Sequence, residues 1–350
     1  MKILIVGSWA WPQYEQAFAC GLRANGHEVI ALTLSQFFCG FWGRIQQAIP
    51  FPAFALLSIN RTVINLVKEQ NPNLILFWRP THILPITMRI LSRRGIILAS
   101  YNNDDPFGSK VHGKVPWHHH YLWYWYIKCL PLFNFNFFYR SINCAEARAF
   151  GASNAEVLLP YFIPSRDKPV ELSDIERKRF ATEVVFVGHY EPDGREEKIR
   201  ALVNAKIGLK IWGGHYWSRK SLGELYYILS PIVPATGDDY AKALCGAKIC
   251  LVFLSKMNRD TYTRRCFEIP ACGQLMLAER TYDLTKMFKE DEEACFFSSE
   301  DELVEKVRYL LSNPDICERI AKAGMRRVWT DGHDVRTRAK QFLSFLNHNS

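Results

Sequence analysis

The sequence predicts an α/β protein with two mostly parallel sheets, and three observations carry that expectation. Short apolar runs such as Ile3–Val6 and Leu74–Trp78 alternate with segments of helical spacing, as strands covered on both faces do. The opening strand that ends on Gly7 has a counterpart in Glu183–Val187 ending on Gly188, although no residue-level repeat links the two. At 350 residues and 48% hydrophobic content, the chain is long enough for two separate cores.

Taken in order, Ile3–Val6 meets Gly7 and Ser8, Tyr14–Ala24 has helical spacing that Gly26 ends, and Glu28–Leu34 reads as a second strand. This is a βαβ unit, whose loops at the carboxyl ends of the strands form a ligand crevice. Ile59–Gln70 is an amphipathic helix, broken by Asn71-Pro72-Asn73 before the strand Leu74–Trp78. Helix Leu84–Ser92 leads to strand Ile96–Ser100. There YNNDDPFG places Asp104 and Asp105 just past a strand end, as catalytic candidates that orient or deprotonate an acceptor hydroxyl, or as a cap before Pro106. In residues 115–140 the run His118-His119-His120 cannot easily share one ion, because consecutive side chains diverge. The aromatic run after it is a poor spanning helix, interrupted by Lys128, Pro131, Asn134 and Asn136; it is either buried in the first domain or rests in a membrane interface. Strands Phe135–Asn143 and Glu156–Leu159 complete the first sheet.

Pro160–Arg179, rich in proline and charge, reads as a linker. The expected boundaries are 1–160 for the first domain, 161–182 for the linker, 183–332 for the second domain and 333–350 for a final basic helix. In the second domain, Gly188 and His189 follow Glu183–Val187, and Leu209–Trp212 ends in Gly213, Gly214 and His215. Such a turn admits a flat base or sugar, which makes Trp212 and Gly214 base-site candidates. Asp238–Leu244 is a short helix and Ile249–Leu254 a strand; Ser298–Leu311, Ile316–Trp329 and Val335–Leu346 are helices, the first with Glu300, Asp301 and Glu302 in its opening turn.

The charge balance of 44 Lys and Arg against 35 Asp and Glu, net +9, suits a polyanionic partner: nucleotide phosphates, an anionic membrane or nucleic acid. No nucleic-acid module supports the last. Neither GxGxxG nor a P-loop is present, so NAD and P-loop ATP chemistry lose their usual support. Ten cysteines without a CxxC pair fit a reduced, cytoplasmic setting, and the N-terminal apolar run is too short for a signal peptide.

The most informative stretch is Asn258–Arg280, NRDTYTRRCFEIPACGQLMLAER. It reads as a polar loop, a short helix, a tight turn at Gly273 and a strand. A helix entered from such a loop points free N–H groups at a phosphate, and Arg265, with Arg264 beside it, adds a bidentate clamp. Glu268, three residues on, either accepts two hydrogen bonds from a ribose diol or pairs with an arginine in the interior.

FEIPACG is similar to the segment of group 1 glycosyltransferases that follows their E-x7-E pattern. It resembles more closely the R-x-F-E-x-x-x-x-G segment of the spore-maturation CgeB-like glycosyltransferases. The resemblance implies a GT-B architecture, two Rossmann-like domains with mostly parallel sheets facing across a cleft, the last helix crossing back to the first domain. It implies that Glu268 holds the donor ribose and that Asp260 stands for the first acid, as D-x7-E. Arg195, after the FVG turn with Gly188 and His189, would contact phosphate, the plainer reading being a helix-start arginine. Donor binding would thus involve Glu268, Arg265, Arg264, Arg195, Gly188, His189, Gly214 and Gly273, and catalysis Asp104, Asp105 and Asp260. The expected activity is transfer of a sugar, with retention at the anomeric carbon, from a nucleotide-diphosphate donor to a glycan, lipid-linked or surface-polysaccharide acceptor. That donor is a co-substrate; no cofactor or metal is expected, since arginines and helix N-termini can take up the leaving charge. Expected partners are donor and acceptor, not nucleic acid, with peripheral contact to an anionic membrane at its inner face. The alternative is an inactive protein of the same fold that binds nucleotide or glycan in surface assembly.

Overall fold

The computed structural model describes residues 1–108, 117–214 and 216–348, so Val115 and Pro116 of the aromatic stretch, and His215, lie outside the described residues. The chain divides into two compact units. The first holds Met1–Leu159, Met257–Arg259 and the segment from Val335; the second holds Pro160–Lys256 and Asp260–Asp334.

The first unit carries six strands: β1 (Lys2–Gly7), β2 (Glu28–Thr33), β3 (Leu74–Trp78), β4 (Ile97–Asn102), β5 (Phe135–Phe138) and β6 (Ala155–Val157). They are all parallel, in the order β2-β1-β3-β4-β5-β6. Helices cover both faces, and the strands read as apolar runs for that reason. The order reverses between β1 and β3, which opens a crevice beyond Gly7 and Trp78.

Of the aromatic stretch, Leu122, Trp123, Tyr126, Phe133, Phe135, Phe137 and Phe138 are buried, while Trp117, Tyr121 and Tyr124 are exposed. Most of the stretch therefore serves the core of this unit. No described helix is long and apolar enough to cross a membrane. The helix Val335–His348 packs on Ala17–Ala24, where Phe342 meets Phe18 edge-on at 5.6 Å. Gly21 makes that approach feasible: a Cβ there would lie 2.6 Å from the Val335 carbonyl oxygen. Gly21→Ala should therefore cost about 1–3 kcal/mol in spite of alanine's better helix propensity. Gly214→Ala, with open space around its Cβ position, should leave the thermal midpoint unchanged.

The second unit carries β7 (Thr182–Val187), β8 (Leu209–Trp212), β9 (Ala247–Val252), β10 (Met276–Glu279) and β11 (Cys295–Phe297), all parallel in the order β11-β10-β9-β7-β8. Here the order reverses between β7 and β9. The segment read as a linker is part of this unit. Ser173 and Glu176 form a capping box that starts the helix Asp174–Phe180, Phe180 is buried, and the Asp167 side chain is fully enclosed. Proline and charge density suggested a tether, but Arg166 and Asp167 are tied to each other and, through Arg166, to Glu268, while most of the other charges of the segment face solvent. Likewise Met257–Arg259, placed in the second domain from the sequence, belongs to the first unit.

Candidate functional site

In the second unit the carboxyl ends of β7 and β9 flank the reversal point. Gly188 follows β7; its N–H donates to Trp212 O at 2.9 Å and its carbonyl accepts from Trp217 Nε1 at 2.8 Å. The guanidinium of Arg265 lies beside it, with Nη1 3.2 Å from where a Gly188 Cβ would stand. That guanidinium sits over the Phe186 ring at 5.6 Å and, among the described residues, makes no ion pair and leaves its buried Nε without a hydrogen-bond partner. A half-buried cation without an anion is costly unless a ligand supplies one. Lys256, exposed just past β9, brings a second cation next to Gly194. Sequence reasoning missed it, although a lysine directly after a buried strand was the available signal.

The other predicted donor residues stand differently. Arg195 is buried, with Nε and Nη2 donating to Asp193 and Nη1 to the His189 carbonyl, so its fork is already filled. The structure gives it the helix-start role, and the acid two residues upstream was the clue. His189 is largely exposed and pairs with Glu191 at 2.8 Å. Burial works against the Glu191 charge, yet His189, Arg195 and the Ser255 hydroxyl together hold its carboxyl down at about 2. Since that lies below the ordinary 4.5, the charged form favours the folded state, fully above pH 4.5 and progressively less as pH falls towards 2. Acid unfolding should lose about 3 kcal/mol over this window, and Glu191→Gln should flatten the curve.

Glu268 makes the interior pairing with an arginine. It is buried; Oε1 accepts from Arg166 Nη2 and Oε2 from the Tyr240 hydroxyl, both at 2.5 Å, and Arg264 Nε stands 3.7 Å away. Arg264 also lies over the Tyr161 ring at 4.6 Å. Asp167 takes a bidentate fork from the same Arg166, and burial together with the Glu268 charge raises its carboxyl above the usual range. Arg166 and Tyr240 are 102 and 28 residues away from Glu268, so the spacing around FEIPACG gave no hint of them.

Gly273 has φ +71 and closes the turn at the far end of the helix Arg265–Ala271, its N–H donating to Pro270 O. It shapes the fold and stands at the opposite end of that helix from Arg265. Gly214 faces open space. Trp212 is buried and stacks on Phe180 at 5.0 Å, which removes it from any base site. Asp260 is half-buried, its N–H donating to Ser255 O.

In the first unit, the crevice beyond β1 and β3 is a cavity of about 310 Å³ lined by Trp11, Glu15, Arg79, His82 and Asp104 among others. Asp104 accepts from Arg79 Nε. Glu15, unnoticed in the sequence, is buried and accepts from Ser8 N–H at 2.7 Å; burial raises its carboxyl above the ordinary value. His82 Nε2 donates to Gln46 O at 2.8 Å while Nδ1 accepts from the Thr81 hydroxyl, and burial lowers the ring to about 4, so it is neutral at physiological pH. Asp105 does not line this cavity. Its enclosed carboxylate takes the fork of Arg259, the N–H groups of Phe107 and Gly108, and Asn143 Nδ2. It is the turn cap of the two readings, not an acceptor-side base. Among the described residues no three His, Cys, Asp or Glu side chains are grouped as metal ligands.

Comparison with known proteins places the fold. Sucrose-phosphate synthase from Thermosynechococcus elongatus superposes with a TM-score of 0.71 at 13% identity, covering 99% of this chain and 98% of that one. Anabaena HepE in complex with UDP and glucose gives 0.67 at 12%, covering 99% and 100%. A protein described as a UDP-N-acetylglucosamine 2-epimerase from Listeria monocytogenes gives 0.55 at 10%, covering 98% and 94%. The fold class is therefore that of the GT-B glycosyltransferases and their structural relatives, with two parallel sheets flanked by helices, as the sequence predicts. Residues 195–344 match the family described as Glycosyl transferase-like, which is fewer than half of the chain. No curated protein matches the sequence.

Proposed function

We propose that this protein is a glycosyltransferase that uses a nucleotide-diphosphate sugar held in the second unit. The observation that carries the reading is Arg265, a guanidinium without an anionic partner among the described residues, at the strand reversal beside Gly188. A diphosphate there receives the fork of Arg265 and the charge of Lys256, which takes up the negative charge of the leaving group without a metal. The match of 195–344 to a glycosyltransferase-like family, and the UDP named with HepE, support a uridine diphosphate donor. The first unit's cavity, with aromatic walls and the polar groups of Asp104, Arg79 and Glu15, suits a hydroxylated acceptor, a glycan or lipid-linked sugar of surface polysaccharide. Asp104 is the acceptor-side carboxylate in this scheme, and Asp260 the counterpart of the first acid. Transfer proceeds with retention, at the cytoplasmic face of the membrane.

A thermal-shift series tests this: UDP at one hundred times its dissociation constant should stabilise the wild type by about 2.7 kcal/mol. Glu268→Gln separates the two roles of that acid, because a ribose contact costs UDP affinity, whereas the Arg166 and Tyr240 contacts alone cost stability in the absence of nucleotide. Chelator should leave turnover unchanged, and an inverted product would overturn retention. The binding-only alternative draws support from Asp105 and Arg195, both engaged in ion pairs rather than facing a ligand. Binding of UDP-sugars with no release of UDP, with or without acceptor, would decide for it.

A further inference from the structure

A group of exposed aromatic side chains lies outside the sequence's aromatic stretch. Phe41 and Trp42, at the start of the helix Gly40–Ala48, are 73% and 70% exposed, and Phe54, which opens the helix Phe54–Gln70, is 78% exposed. Phe51 and Leu57 are exposed beside them. Two hydrogen bonds tie these elements to their neighbours. The Ala55 N–H donates to Gln46 Oε1 at 2.8 Å, and Trp125 Nε1 donates to the Pro50 carbonyl at 2.5 Å. Gly43, Leu56 and Ile59 are buried beneath, so the inward faces are already used and the outward ones have no place in the core.

The charge pattern names the partner. No Asp or Glu occurs between Glu28 and Glu69, while Arg44, Arg61 and Lys68 do, all exposed. Across residues 29–145 there are 11 Lys and Arg against three Asp and Glu, a net +8 of the chain's +9. A surface that needs both apolar insertion and negative charge is an acidic lipid interface, where Trp and Phe settle at the headgroup level and each nearby cation is attracted. We propose that this face of the first unit docks on an anionic bilayer through Phe41, Trp42, Phe51, Phe54 and Leu57, with Arg44 and Arg61 meeting the headgroups. The inference stands on the first unit alone and does not require the transferase reading. The face shares the helix Gly40–Ala48 with the cavity, which Gln47 lines, so a lipid-borne substrate on this bilayer would lie next to it.

The test is flotation of the full chain with vesicles of phosphatidylcholine alone or mixed with phosphatidylglycerol. Binding to the mixed vesicles, weakened by salt, and little to the neutral ones is expected. Phe41→Ser with Trp42→Ser and Phe54→Ser should lower partitioning at least tenfold. Arg44→Glu with Arg61→Glu should do so on the acidic vesicles only. All these side chains are exposed, and an unchanged thermal midpoint confirms that the variants fold. Equal binding to both vesicle types, no binding, or unaltered binding by the aromatic variant overturns the proposal. So does concentration-dependent dimerisation of the wild type that the same variant abolishes, which would make a second copy the occupant.

Discussion

Asp105→Ala is expected to destabilise the first unit by about 3–5 kcal/mol, the largest stability effect we expect of any single substitution. The carboxylate side chain is fully enclosed and that of Arg259 nearly so. Removing the acid leaves the Arg259 fork and the Asn143 amide with Glu146 alone and strands the N–H groups of Phe107 and Gly108. Arg259 itself is held at φ +51, an uncommon conformation for a side-chain-bearing residue, which Glu146 and Asp105 together maintain. Denaturant titration followed by a double-mutant cycle separates pairing from desolvation. Arg259→Ala added to Asp105→Ala should recover part of the loss, because the orphaned cation goes with it. If Asp105→Ala instead left stability intact and abolished turnover alone, Asp105 would be a catalytic base after all.

The contrast between strands and site explains what the sequence could reveal. β3 falls on the residues predicted, because a strand covered on both faces must be apolar throughout, and that requirement is local. The helix Gly40–Ala48 went unseen: its outward face carries Phe41 and Trp42 where a polar residue would have shown the period. The helix Asp174–Phe180 did announce itself through Ser173 and Glu176, but the surrounding prolines and charges suggested a linker. The site was less legible still. Arg195, Arg264 and Arg265 look alike in the sequence, and which is free for a ligand depends on which carboxylate the fold brings to it. Asp193 neutralises Arg195 from two residues away; Glu268 reaches across 102 residues to Arg166. Asp104 and Asp105 are neighbours in the chain, yet one lines a cavity and the other is enclosed by an arginine 154 residues on.

Arg265→Ala is the substitution in which stability and function should part. Among the described residues its guanidinium makes no ion pair and its buried Nε has no partner, so truncation removes a desolvation cost and breaks no hydrogen bond with them. The thermal midpoint without nucleotide should hold or rise slightly, offset only by lost packing on Phe186. Binding should move the other way. Two charge-assisted hydrogen bonds to a diphosphate are worth about 1.5–3 kcal/mol each before partial compensation by water, so UDP affinity should fall on the order of 30- to 300-fold. Arg265→Lys keeps the charge but not the fork, and should lie between. Arg195→Ala supplies the control with the opposite signature: it leaves Asp193 without its cation and Glu191 with His189 and Ser255 alone, and should cost stability of the second unit before any ligand is added. Calorimetric titration of the three variants with UDP, beside their unfolding curves, reads both quantities at once. A loss of stability in Arg265→Ala with unchanged affinity would show that a neighbour satisfies this arginine in solution, and the donor site would then have to be sought elsewhere along the carboxyl edge of the second sheet.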